Sequence, residues 1–116
     1  MSNQQINSLL ARPIAFHPAF VAITGSVTAA LMLSQAWYWK DRTNNADGWF
    51  YKTQKDWQEE TGLTRYEQET ARRVLKEKSF LEEKTAPPYR LYFRVNKDAV
   101  FQALGVETPQ VGTPHA

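Results

Sequence analysis

Apolar residues recur along this chain in two periods, and the changes between them mark its elements. From Ser26 the run "VTAALMLSQAWYWKD" contains no glycine or proline. It places Val27, Leu31, Ser34 and Tyr38 at helical spacing, Ala30, Leu33 and Trp37 widen that face, and Met32 and Trp39 lie toward the other side. Ser26 is the expected N-cap. A helix this apolar belongs at the centre of a domain, with Trp37 and Tyr38 in the core. Upstream, "PIAFHPAF" reads as a short strand or extended segment bounded by Pro13 and Pro18.

Downstream the period shortens. "NNADG" is a turn, and "WFYKT" a short strand with Trp49 and Tyr51 on one face and Phe50 on the other. Thr53 and Asp56 form an approximate capping box opening a short surface helix, "QKDWQEET", whose only large apolar residue is Trp57. Gly62 is its left-handed stop. Thr64 and Glu67 form a second capping box, opening "RYEQETARRVLKEK". Two helices across a tight glycine-containing turn, the second longer, are the pattern of a helix-turn-helix. "FLEEK", "TAPPY" and "RLYFRVN" then read as a hairpin whose return strand alternates Leu91, Phe93 and Val95 inward with Arg90, Tyr92 and Arg94 outward. Asn96 caps a last helix, "KDAVFQAL", that ends at Gly105.

The element order predicts a mainly α fold with a small β-hairpin (α+β), a winged helix-turn-helix spanning 14–104. A polar, flexible segment (1–13) precedes it and a linker-like tail (105–116) follows. At 116 residues, 42% hydrophobic, the chain can bury one core. Cysteine is absent, which excludes disulfides and thiolate metal sites. No apolar run is long enough for a membrane span and no signal-peptide pattern opens the chain, so a cytoplasmic protein with no membrane partner is expected.

The sequences "ALMLSQAWYWKDR", "GWFYKTQKDWQEETGLTRYEQETARRVLKEKSFLEEK" and "PPYRLYFRVN" together resemble the winged-helix domains near the N-termini of replication proteins from bacteriophages, plasmids and other mobile elements, over roughly residues 13–104. The resemblance implies a role in binding DNA at origins or in recruiting replisome components. Those proteins usually continue into a further domain, whereas this sequence ends soon after its tail; a fragment and a free-standing small protein are both compatible with that.

Charge narrows the surface to consider. Residues 1–63 balance, whereas residues 64–97 carry nine basic groups against five acidic, a net of +4. That segment is the candidate contact for a polyanion. On the third predicted helix, Ala71, Val74 and Leu75 define the buried side, with Leu63 beneath its start. Arg65, Tyr66 and Glu69 are placed to reach base edges in a major groove, with Arg72, Arg73 and Lys76 on the remaining surface. The N–H groups after Thr64 could hold a phosphate. Against this, Glu67 and Glu69 repel phosphate, Glu69 can pair with Arg72 or Arg73, and the offsets of Gln68 and Arg72 from the turn are ones that helix-turn-helix sequences commonly bury. On the wing, Lys84, Arg90 and Arg94 could straddle the backbone, or Arg90 and Arg94 could pair across the hairpin with Glu82 and Glu83.

The six aromatic residues Trp37, Tyr38, Trp39, Trp49, Phe50 and Tyr51 are expected to fill the core rather than stack on bases, since single-strand binders display rings on an open sheet beside basic residues. Trp39 is the exception, packed on the N-terminal segment or exposed as a partner-protein anchor. His17 and His115 lack metal-ligand spacing, and no nucleophile, phosphate-loop or zinc motif is present, so a non-enzymatic protein without cofactors is expected. The partners implied are double-stranded DNA, or replisome or host proteins bound through the same fold, with "DAVFQAL" as a candidate homodimer surface. A transcriptional regulator would differ only in its target site.

Overall fold

Local chemistry sets the helix boundaries in the computed structural model, which describes residues 15–105 together with Asn3 and Gln5. Apart from those two residues, the expectations for the N-terminal segment and for the tail beyond Gly105 fall outside the described part. Pro18 opens α1 (Ala19–Thr24), and Gly25 ends it in the left-handed conformation at φ 70°. Where an extended segment was the expectation, residues 18–20 instead begin a helix, because proline is tolerated where a helix starts, and Ala15–His17 belong to no helix or strand. Ser26 accepts from the Ala29 N–H and opens α2 (Val27–Lys40).

β1 (Phe50–Tyr51) precedes α3 (Gln54–Thr61), which Thr53 and Asp56 cap reciprocally and Gly62 terminates at φ 77°. Thr64 and Glu67 cap α4 (Arg65–Glu77) in the same way. β2 (Leu81–Ala86) and β3 (Arg90–Val95) form the wing, and Asn96 caps α5 (Lys97–Leu104). The strands form one antiparallel sheet in the order β1-β3-β2, with Phe50 opposite Phe93 and Tyr51 opposite Tyr92.

The core differs from its sequence reading in the phase of α2. Ala29, Ala30, Met32, Leu33 and Ala36 are buried, whereas Val27 is 63% exposed and Tyr38 carries the Arg42 guanidinium 3.6 Å above its ring at the surface. The helix lies against α1, α3, α4 and β3, and small residues permit that close approach. The buried arc is therefore set by alanines and Ser34 rather than by the largest side chains. Trp37 is half-buried, with edge-to-face contacts to Phe20 of α1 and Phe101 of α5. Val100 is fully buried and Ala99 and Leu104 pack against the core, so the apolar positions of α5 are largely used within the chain.

Trp57 is the single ring that pins α3, wedged edge-on to Phe93 at 5.3 Å and to Phe50 at 6.3 Å. Trp39 does not stand free as an exposed anchor. Its indole N–H donates to Glu60 Oε1 at 2.6 Å, beside Gln35 Nε2 at 2.7 Å, while Glu60 Oε2 receives the Lys52 ammonium. That buried ammonium also lies 3.8 Å over the Trp39 ring. The cluster ties α2 to α3 and so fixes the first helix of the helix-turn-helix.

The cap of α3 makes stability depend on pH. The backbone N–H of Thr53 holds the Asp56 carboxyl below its ordinary pKa, helped by the Thr53 hydroxyl and by the charges of Lys52 and Lys55. A carboxyl lowered by folding stabilises above the ordinary carboxylate range, and this contribution disappears as pH falls through the lowered value. Asp56→Asn is expected to cost about 0.5–1 kcal/mol at neutral pH. The gap from wild type should close in thermal melts taken below the carboxylate range.

Candidate nucleic-acid interface

Where α4 stands is decided by two polar side chains that are turned inward. Gln68, 2% exposed, donates its amide to the carbonyls of Gln54 and Leu63, both at 3.0 Å, and so locks the helix to the start of α3 and to the turn. Arg72 forms a bidentate pair with Glu83 of β2, Nε to Oε2 at 2.9 Å and Nη2 to Oε1 at 2.6 Å. This pairing raises the Arg72 pKa above its ordinary value and joins α4 to the wing. Arg72 is therefore a strut rather than part of the exposed basic face. Lys76, half exposed, reaches the same carboxylate at 3.7 Å.

The outer surface of α4 presents Arg65, Tyr66, Glu69, Arg73 and Lys76. Arg65 and Tyr66 are each 76% exposed. Arg65 Nε lies 3.3 Å from Glu69 Oε1, one turn on, an exposed pair worth about 0.3–0.5 kcal/mol. Glu69 thus takes Arg65 rather than Arg72 or Arg73, and Arg73 has no acidic partner among the described residues. At the start of the helix the Thr64 N–H donates to Glu67 Oε1 at 3.0 Å and the Glu67 N–H to Thr64 Oγ1 at 3.2 Å. The carboxylate of Glu67 therefore already occupies the end at which a phosphate was expected.

The wing divides its residues between two faces. Glu83 pairs in register with Phe93 on the face against which α4 packs. Lys84, Arg90 and Arg94 alternate onto the opposite face. The ten residues singled out from sequence therefore form three groups: Thr64, Arg65, Tyr66, Glu69, Arg73 and Lys76 on α4, Arg72 held between helix and sheet, and Lys84, Arg90 and Arg94 on the outer sheet face. Arg94 pairs with Glu82 directly across the strands at 2.6 Å, as one reading of the hairpin had it, whereas Glu83 takes Arg72. Arg90 instead lies 5.0 Å over the Tyr51 ring.

Of the second aromatic triplet only Phe50 enters the core. Trp49 is half-buried with Lys84 and Arg94 against its ring at 4.3 and 4.5 Å, and Tyr51 is 42% exposed beside Tyr92. The alternation of "WFY" and "LYF" carries the signal for these outward rings. The pairing of β1 with β3 that brings them together is not local.

Among the described residues no group of three or more histidine, aspartate or glutamate side chains could hold a metal ion. No helix among them is long and apolar enough to cross a membrane. The architecture, five helices within residues 15–105 with a three-stranded antiparallel sheet, is a mainly α, α+β fold of winged-helix type. No protein-family model, curated protein or solved structure matches this chain.

Proposed function

We propose that this chain is a non-enzymatic DNA-binding protein or domain of the winged helix-turn-helix type, acting in the cytoplasm in replication initiation or replisome organisation of a phage or plasmid. It lays the outer face of α4 in the major groove and sets the wing tip, with Tyr89 and Arg90, on the flanking backbone. The observation that carries this reading is that Arg65, Tyr66 and Arg73 project from a helix whose orientation Gln68 and Arg72 hold rigidly. A fixed helix presenting an arginine fork is what groove readout requires, because guanine offers two acceptors that a guanidinium meets at once. Arg65 must leave an exposed, weak pair with Glu69 to do so, which costs little.

One observation favours a second reading. Glu67 and Glu69 lie on or beside the same face, so a basic protein partner, such as a replisome or host factor, would find acceptors there. Fluorescence anisotropy with a labelled random-sequence duplex separates the two. Duplex binding that weakens steeply with salt and drops about tenfold or more in Arg65→Ala/Arg73→Ala supports the DNA reading. A folded protein that takes no duplex at low salt refutes it.

A further inference from the structure

The face of the sheet turned away from α4 has a chemistry of its own. Tyr92 of β3 lies in register with Tyr51 of β1 on one side and Lys84 of β2 on the other, so all three side chains share this face. Tyr51 and Tyr92 bring their ring centroids to 5.7 Å. Trp49, two residues before Tyr51, extends the row, and Arg90 and Arg94 flank Tyr92 along β3. The helices that pack on the sheet, α2 and α4, cover its other face, where Phe50, Phe93 and Val95 are buried, while Gly48 lies beside the Arg94 end of this one.

Charge selects the occupant. Glu82 is the one carboxylate on these strands that shares the face, and Arg94 holds it. Lys84 and Arg90 have no acidic partner among the described residues. Each rests on an aromatic ring instead, Lys84 on Trp49 and Arg90 on Tyr51. Unpaired cations beside open rings suit a ligand that supplies negative charge and flat π-surfaces at short, regular intervals, which a single nucleic-acid strand does. A duplex does not, because its bases are closed into the stack and leave only groove edges and phosphates. A protein partner would need acidic and apolar groups in matching alternation, and nothing on the face demands that.

We infer that the outer sheet face is a binding site for single-stranded nucleic acid, with bases stacked on Tyr51 and Tyr92 and the neighbouring phosphates held by Lys84 and Arg90. In the free protein the cations lie over rings; an arriving base takes the ring surface and the cation moves to its phosphate. Trp49, held between Lys84 and Arg94, positions those two cations. The site lies across the sheet from α4, and Arg90 at the wing tip is the one residue it shares with the duplex reading.

A labelled twelve-residue oligothymidylate tests the proposal by anisotropy at low and moderate salt. Wild type, Tyr51→Thr/Tyr92→Thr and Arg65→Ala/Arg73→Ala are compared, each first shown to be folded by near-UV circular dichroism. Threonine keeps the strand propensity while removing the rings. The expected result is salt-sensitive binding by wild type, weakened about tenfold or more by loss of the two tyrosines and little changed by the arginine substitutions. Duplex binding should be unaffected by the tyrosine substitutions. If the double variant does not fold, Tyr51→Thr alone, at an exposed position, is expected to weaken oligonucleotide binding about fivefold or more. Failure of wild type to bind at low salt would overturn the proposal and leave the face to a protein partner. Binding that survives loss of the rings, or that is lost with Arg65 and Arg73, would overturn it as well. Oligonucleotide binding without duplex binding would uphold this site while removing the groove-reading role of α4.

Discussion

Lys52→Met is expected to lower the unfolding free energy by about 3–5 kcal/mol, although it removes no apolar contact. The Lys52 side chain is 5% exposed, and its ammonium lies between the Glu60 carboxylate and the Trp39 ring. Methionine fills most of that volume but leaves the Glu60 carboxylate, 19% exposed, without its counter-charge. Two hydrogen bonds, from Gln35 and Trp39, remain to that carboxylate and set the expectation toward the lower end of the range. Urea denaturation measures the loss. The diagnostic comparison is Lys52→Met/Glu60→Gln, which removes both charges and should recover much of the stability, because a buried pair costs desolvation that its replacement does not. If the double variant is no more stable than the single one, the cost lies in packing and the electrostatic account of this cluster is wrong.

Trp57→Ala is expected to cost about 3–5 kcal/mol, a large share of what holds a domain of this size. The ring is 1% exposed and is the one large apolar group by which α3 holds the core, edge-on to both Phe50 and Phe93. No neighbouring side chain on α3 can collapse into the space, since the rest of that helix is polar. The Trp57 indole N–H is buried with no hydrogen-bond acceptor among the described residues, so part of the burial energy is offset by that donor. Trp57→Phe keeps a ring, removes the orphaned donor and should therefore cost much less than Trp57→Ala in the same denaturation series. Equal losses for the two would mean that the indole is satisfied by an interaction other than packing.

The contrast between these clusters and the helix ends shows what the sequence carries. The ends were legible because a cap is a contact over three residues: Ser26, Thr53 with Asp56, Thr64 with Glu67, and Asn96 each satisfy backbone groups within their own turn. The helix-turn-helix and the wing followed from those boundaries. The phase of α2 did not, because its buried arc is lined by alanines that carry little hydrophobic signal, while Val27 and Tyr38 stand exposed. The pairs Lys52–Glu60 and Arg72–Glu83 join residues 8 and 11 apart across different elements, and no local rule selects them. They change how the candidate surface is read: Arg72 leaves the exposed basic set, and Trp39 becomes part of a structural cluster. The outer sheet face was half legible, since alternation marks Tyr92 as outward, but its chemistry depends on β1 lying beside β3.

The central claim is that α4 carries the duplex contact, and the salt dependence of duplex affinity tests it most directly. Each phosphate neutralised contributes about −0.9 to the slope of log affinity against log salt. The account predicts a steep slope for wild type and one shallower by about 1 for Arg65→Ala/Arg73→Ala, because Arg73 neutralises a phosphate while Arg65 meets a base edge, with Gln68 and Arg72 still holding the helix in place. An unchanged slope and affinity in that variant would contradict it, as would a folded wild-type protein that binds no duplex at low salt.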